Sequence, residues 1–292
     1  MSGRRDEAAR PTATLSSGYL AEIRPDRFRD GAYELVVDGT PQSHVDLDDP
    51  SHLFFEYIRR MGHVIDQLPE GPVTAVHLGA GALTIPRYIE ATRPGSRQQV
   101  VELEPALVEL VRTALPLPRS GSIRIRYGDA REVLAKLPEG MRGQVDVLVV
   151  DVFGGDTIPA HVTSAEFYAE CADWLSPAGI LLVNIADGTG LRFARGQAAT
   201  IGHVLRDVAA LADTQLLKGR RFGNVVFAAS RGELPLEWMP RLLAGGPHPA
   251  KVVHGRELED WIAGAPIATD QTAIPSPPPA RSIFQTRPGS GG

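Results

Sequence analysis

Four places in this 292-residue chain put chemistry-bearing residues directly after runs of branched apolar ones. Leu78 is followed by Gly79-Ala80-Gly81-Ala82, Val100-Val101 by Glu102-Leu103-Glu104, Tyr127 by Gly128-Asp129-Ala130, and Val150 by Asp151. A Gly-x-Gly turn lets the backbone approach a ligand closely, and a helix starting there offers free N–H groups. The same turn also serves simply to join a strand to a helix. Glu102, about twenty residues beyond Gly81, can accept both hydroxyls of a ribose, or sit solvated at a strand end. Asp129 can accept from an adenine amino group, or cap a helix opening at Ala130. The third glycine of a nicotinamide-type G-x-G-x-x-G is absent, since Thr84 stands in its place.

These residues need a scaffold that aligns strand ends, and the hydrophobic rhythm supplies one. Strands are predicted at Val73 to Leu78, Val100 to Leu103, Ile123 to Tyr127, Val145 to Val150, Ile180 to Ile185 and Asn224 to Ala229. Helices are predicted between them at Ile85 to Thr92, Pro105 to Ala114, Ala130 to Leu137, Ser164 to Leu175 and Gln197 to Leu211. This alternation specifies an α/β, doubly wound, Rossmann-like sheet, whose ligands lie beyond the carboxyl ends of the strands. Before it, residues 16–70 form a small N-terminal β domain plus a helix. Its signals are the alternation at Tyr33 to Val37, the Asp38-Gly39 turn, and apolar spacings of three and four from Leu53 to Leu68. The nucleotide-binding catalytic domain is assigned to residues 71–263.

The ends read as unpacked: residues 1–15 are polar, and 264–292 hold Pro275-Ser276-Pro277-Pro278-Pro279 and a Gly-rich finish. Both have too little apolar surface to offset ordering entropy. The chain's 30 glycines and 24 prolines, nearly a fifth of it, thus divide between a loose tail and strand-to-helix turns. A net charge of −5 argues against binding nucleic acid mainly through phosphates. A single cysteine, Cys171, excludes a disulfide framework and a four-cysteine zinc site. No signal peptide or membrane-length apolar run is visible, so a cytoplasmic protein without membrane partners is expected. His44, His52 and His161 show no metal spacing, and no metal is assigned. His77 lies within a strand, as a core histidine would.

The set of strand ends resembles the class I S-adenosylmethionine-dependent methyltransferase fold, and within it the spermidine synthases, the polyamine aminopropyltransferases. Leu35-Val36-Val37-Asp38-Gly39-Thr40-Pro41-Gln42 resembles their entry motif, Gly79 to Thr84 their glycine loop, and Glu102-Leu103-Glu104 their Glu-Ile-Asp. Gly128-Asp129-Ala130, Asp146 to Asp151, Pro159-Ala160 and Phe167-Tyr168 continue the match, which covers residues 33–230. The resemblance implies that Gly79 and Gly81 pass the methionine portion, Glu102 holds the ribose, and Asp129 and Ala130 contact the adenine. It also implies decarboxylated S-adenosylmethionine as co-substrate, a small amine or polyamine as partner, and a homo-oligomer. Two positions depart from the family pattern. Ala82 stands where the loop Asp binds the donor's amine, and Gly154 where a second catalytic-segment Asp is expected, with Asp156 two residues on.

The implied chemistry is an in-line displacement at an activated sulfonium carbon, which needs oriented partners and a neutral attacking amine. Asp151 can take the amine's proton. Asp156 can hold the distal ammonium of a diamine or be an ordinary loop residue. Gln42 can bond the donor's tail or be a hairpin polar residue, and Tyr57 can line the acceptor channel or pack in the core. Three functions are therefore expected to compete. Aminopropyl transfer leads, followed by methyl transfer from S-adenosylmethionine and a catalytically silent nucleotide-binding homologue.

Overall fold

The structure, a computed structural model, describes residues 10–118, 121–237, 239–240 and 250–278. Two sheets organise it. The first is a four-stranded antiparallel meander, β1 (Thr12–Thr14), β2 (Leu20–Pro25), β3 (Ala32–Val37) and β4 (Thr40–Asp46). Its β3–β4 hairpin closes through Asp38 and Gly39, with φ of 46° and 77°. Such a pair of positive φ values gives a two-residue turn whose twist matches the strands. Helix α1 (Glu56–Asp66) follows.

The second sheet has eight strands in the order β12-β10-β11-β9-β8-β5-β6-β7. Its parallel part is β5 (Thr74–Leu78), β6 (Arg97–Glu102), β7 (Ser122–Tyr127), β8 (Val145–Val150) and β9 (Leu175–Asp187). The helices α2 (Thr84–Thr92), α3 (Pro105–Ala114), α4 (Ala130–Leu134), α5 (Ala165–Trp174) and α6 (Arg192–Val204) connect these strands and lead out of β9. Antiparallel β10 (Asp207–Asp213), β11 (Gly223–Ser230) and β12 (Ala250–His254) complete the sheet, with short α7 (Thr214–Leu217) and α8 (Arg256–Ile262). Alternate residues feed opposite faces. Val76, Leu78, Leu148 and Val150 pack toward α5 and α6, while Ala75, Val147 and Val149 pack toward α1 and α2. Burial on both faces explains why β8 reads as an unbroken apolar run.

Chain order reverses between β5 and β8, so the residues after these two strands stand side by side. The Asp151 N–H donates to the Leu78 carbonyl at 2.9 Å. This is the crevice where open α/β sheets bind ligands. The N-terminal sheet reaches the same place. Ala21, Ile23, Leu35 and Val45 share a core with Ala80, Ala82 and Leu83 of the glycine loop.

Three expectations are corrected. The helix expected over Gln197 to Leu211 ends at Val204, and its last third belongs to strand β10. Val208, Ala210 and Ala212 face one core and Ala209 and Leu211 the other, so pairing with β11 and β12 overrides alanine's helical preference. Residues 12–14, assigned to a disordered N-terminus, are strand β1, paired in register with Leu20 to Glu22. Residues 264–278, expected in the unpacked tail, are docked. Ala268 accepts from the Ala165 N–H at 2.8 Å, and Ser276 is 3% exposed. The rest of the expected tail, 279–292, and residues 1–9 lie outside the described residues. Among the described residues no helix is long and apolar enough to cross a membrane.

Candidate active site

A cavity of about 420 Å³ opens at the switch point, a size suited to a small ligand. Gly79, Gly81, Glu102, Asp129, Ala130, Asp151, Gln42 and Tyr57 all line it. Asp156 does not. The Gly154 N–H donates to the Thr157 carbonyl at 2.7 Å, closing a turn that leaves Asp156 exposed at its tip.

The glycine loop is held by its backbone. Gly79 has φ of 93°, and a Cβ there would stand 2.2 Å from the Asp151 carbonyl oxygen. Gly81 has φ of 48°, and a Cβ there would stand 2.5 Å from Ser43 Oγ. Only glycine meets both demands at each position. Ser43 Oγ also accepts from the Ala82 N–H at 3.2 Å, tying β4 to the loop. Ala82 itself is 1% exposed and lies in the core beside Leu83, away from the cavity lining.

At the end of β6, the Glu102 carboxylate accepts the Ala80 N–H at 2.9 Å through Oε2 and the Glu104 N–H at 3.0 Å through Oε1. Burial pushes its pKa up, and the N–H groups of Ala80, Glu104 and Leu103 oppose that shift without cancelling it. The next carboxylate, Glu104, accepts from the Ser16 N–H at 2.9 Å and from the Ser16 hydroxyl. That bond brings the β1–β2 turn over the cavity, where Ser16, Ser17 and Tyr19 add to its wall.

Asp129 fulfils its capping alternative. Its Oδ1 accepts the N–H groups of Arg131 and Glu132 at 3.0 and 3.1 Å. Its Oδ2 pairs with His161 Nε2 at 2.7 Å, so an adenine amino group would compete with His161 for that oxygen. Burial alone would raise this carboxyl, but the Glu132 N–H and His161 hold it below its usual range.

Asp151 follows β8 directly and lines the cavity. Its Oδ1 accepts from Asn184 Nδ2 at 2.8 Å, and its Oδ2 from the Tyr57 hydroxyl at 3.4 Å. Burial drives its pKa up, opposed by these two bonds. Tyr57 is itself pushed well above its normal pKa, by burial and then by the Asp151 charge, and so stays a donor. It both stacks beside Phe55 and lines the cavity. His77 also lines the cavity, with Nε2 paired to Gln98 Oε1 at 2.9 Å. Burial lowers its pKa to about 4, so it is neutral. Ser16, Tyr19 and Asn184 carry no motif that singles them out, whereas Glu104 closes the Glu102-Leu103-Glu104 match. His161, which shows no metal spacing in the sequence, is a wall residue paired to Asp129. Among the described residues no group of three or more His, Cys, Asp or Glu is placed to hold a metal.

Comparison with known proteins adds to this geometry. No family model matches the chain. A polyamine aminopropyltransferase from Neisseria meningitidis is 32% identical over 149 residues, covering 50% of this chain and 54% of that protein. The chain thus spans about half the length of the curated relatives it matches. The crystal structure of a probable spermidine synthase from Corynebacterium glutamicum superimposes with a TM-score of 0.80 at 30% identity, covering 94% of this chain and 98% of that one. Human methyltransferase-like protein 13, in complex with SAH, shares the fold alone, with a TM-score of 0.50 at 15% identity over 71% of this chain and 88% of that one. The sheet is therefore that of the class I methyltransferases, and with a similarity to a probable spermidine synthase that runs nearly end to end, the chain belongs to the spermidine synthase family.

Proposed function

We propose that the protein transfers an aminopropyl group from decarboxylated S-adenosylmethionine to a small amine. One observation carries this proposal. Glu102, Glu104, Asp129 and Asp151 line the cavity, and among its described lining residues there is no lysine or arginine. A decarboxylated donor brings a sulfonium and an ammonium, and an acceptor amine adds further positive charge, all of which an acidic wall attracts. Intact S-adenosylmethionine brings a carboxylate, for which this wall offers no cationic side chain other than a protonated His161. Donor selection then rests on the field of the whole cavity, since position 82 lies away from it.

The residues divide the work as follows. Gly79 and Gly81 leave room for the donor's sulfonium arm, and Glu102, held by two N–H groups, presents its remaining lone pairs to the ribose hydroxyls. Asp129 and Ala130 bound the adenine end, and Gln42 the donor's tail. Asp151 takes a proton from the acceptor's ammonium, and Tyr57 and Asn184 keep the carboxylate oriented. The neutral nitrogen then attacks the methylene carbon bonded to sulfur. The C–N bond forms as the C–S bond breaks, the electron pair stays on sulfur, and methylthioadenosine leaves. The enzyme acts as a small N-terminal β domain, which β1 extends to Thr12, on a catalytic domain (71–263) against which residues 264–278 dock, in a cytoplasmic homo-oligomer that needs no metal.

The test is to incubate the protein with each donor and a panel of polyamines and analyse the products by mass spectrometry. Methylthioadenosine formed only when amine is present is the expected result. S-adenosylhomocysteine would establish methyl transfer instead. Tight donor binding with neither product would mark a silent homologue.

A further inference from the structure

The segment from Asp151 to Thr163, between β8 and α5, forms much of one wall of the cavity, through Asp151, Phe153, Gly155, Pro159 and His161. Within it, the backbone bonds from Gly154 to Thr157, Val162 to Pro159 and Thr163 to Ala160 are short-range. Its ends are held by the Asp151 N–H on the Leu78 carbonyl and by Gln197 on the Thr163 carbonyl, Ile158 and Val162 pack in the core, and His161 pairs with Asp129. Two further anchors come from the C-terminal residues 264–278.

The first anchor is Ser276. Its Oγ accepts the Ile158 N–H at 2.8 Å, and its own N–H donates to the Ile158 carbonyl at 3.0 Å. Both residues are buried, at 3% and 2% exposure. Ile158 thus has both backbone polar groups satisfied by one distant residue. Pro275, Pro277 and Pro278 surround Ser276, and their fixed φ reduces the entropy lost when this stretch docks.

The second anchor is Asp270. It takes Arg131 in a two-pronged pair, Nη1 to Oδ1 at 2.7 Å and Nη2 to Oδ2 at 2.9 Å, while Glu170 grips the same guanidinium. Arg131 in turn donates to the His161 carbonyl at 3.0 Å. Asp270 Oδ1 also accepts from Ser164 Oγ at 2.5 Å, the residue that caps α5 where the wall segment ends.

We propose that residues 264–278 are a strap that sets the position of the cavity wall, with Ser276 and Asp270 as positioning residues for the transfer reaction. The proposal rests on the function given above, in which this wall carries Asp151 and faces the amine. Neither residue touches substrate; each acts through Ile158, Arg131 and His161.

The test uses the full chain carrying Ser276→Ala, Asp270→Asn, or Ser276→Thr, which keeps the hydroxyl. Three readouts are taken: amide hydrogen exchange, methylthioadenosine binding by calorimetry, and kcat/KM for the amine. Ser276→Ala leaves the buried Ile158 N–H without an acceptor, so exchange across 152–163 is expected to accelerate about tenfold or more. Exchange in β5 and β8 should stay unchanged, methylthioadenosine should bind as before, and kcat/KM for the amine should fall about tenfold. Ser276→Thr should restore most of both effects. Asp270, with 43% of its side chain exposed, can be changed without opening the core, and Asp270→Asn should act in the same direction. Unchanged exchange in 152–163 would overturn the proposal, and so would faster exchange with undiminished turnover. A wild-type protein that releases no methylthioadenosine would refute the assigned function and the positioning role together, while the exchange readout would still report whether the strap anchors the wall.

Discussion

Replacing Asn184 by leucine isolates the control of Asp151 from its chemistry. Asn184 donates to Asp151 Oδ1 at 2.8 Å, is 3% exposed, and has no partner for its own Oδ1. Its removal therefore leaves no other group stranded. A hydrogen bond to a charged group contributes about 1.5–3 kcal/mol, and one pKa unit corresponds to about 1.4 kcal/mol. The bond favours the ionised carboxylate, so its loss raises the Asp151 pKa. That adds to the upward shift burial already imposes. A base must be ionised to work, so the acidic limb of the pH profile of kcat/KM should move to higher pH. The plateau at high pH should be reduced much less, because Tyr57 still contacts Oδ2. The assay is methylthioadenosine release from pH 5 to 10 under subsaturating amine. A limb that stays in place while the plateau falls would refute the assignment of Asp151 as the base oriented by Asn184.

Other expectations follow from the same geometry. Asp151→Asn should abolish turnover, retain nucleoside binding by calorimetry, and raise the melting temperature. With a folded pKa above the unfolded one, ionisation of Asp151 costs stability as pH rises from the unfolded value through the folded one, and asparagine avoids that cost. An unchanged or lower melting temperature at neutral pH would contradict it. Gly79→Ala adds a Cβ 2.2 Å from a backbone oxygen at φ of 93°, so a loss of more than about 2 kcal/mol is expected by urea unfolding. Glu102→Gln keeps the size but replaces one N–H acceptor by a donor, and should weaken methylthioadenosine binding about tenfold or more by calorimetry.

How far the sequence reveals this molecule depends on which force shapes each part. Val145–Val150 and Pro105–Ala114 are found in the structure with the boundaries read from their residues, because apolar clustering and a helix-starting proline are local signals. Strand β10 is hidden in the sequence because burial on both faces removes the alternation that marks a strand, leaving an alanine-rich run of helical character. The strap 264–278 resembles a loose tail in composition because its docking depends on a few polar contacts rather than on apolar content. Ser276 and Asp270 look ordinary until Ile158 and Arg131 are placed beside them.

The candidate site divides in the same way. Gly79, Glu102 and Asp151 were legible because strand ends in an α/β sheet converge by topology. Asp156 was not, because the four-residue turn from Gly154 to Thr157 decides which way it points. Asn184 and Ser16 join the cavity or its supports through contacts between distant elements, which no spacing announces.

The most direct measurement is the identity of the nucleoside released when the purified protein is mixed with decarboxylated S-adenosylmethionine and an amine. A cavity lined by Glu102, Glu104, Asp129 and Asp151, with no lysine or arginine among its described lining residues, predicts methylthioadenosine in amounts that track the amine consumed. Release of S-adenosylhomocysteine from the intact donor, with no methylthioadenosine from the decarboxylated one, would contradict it.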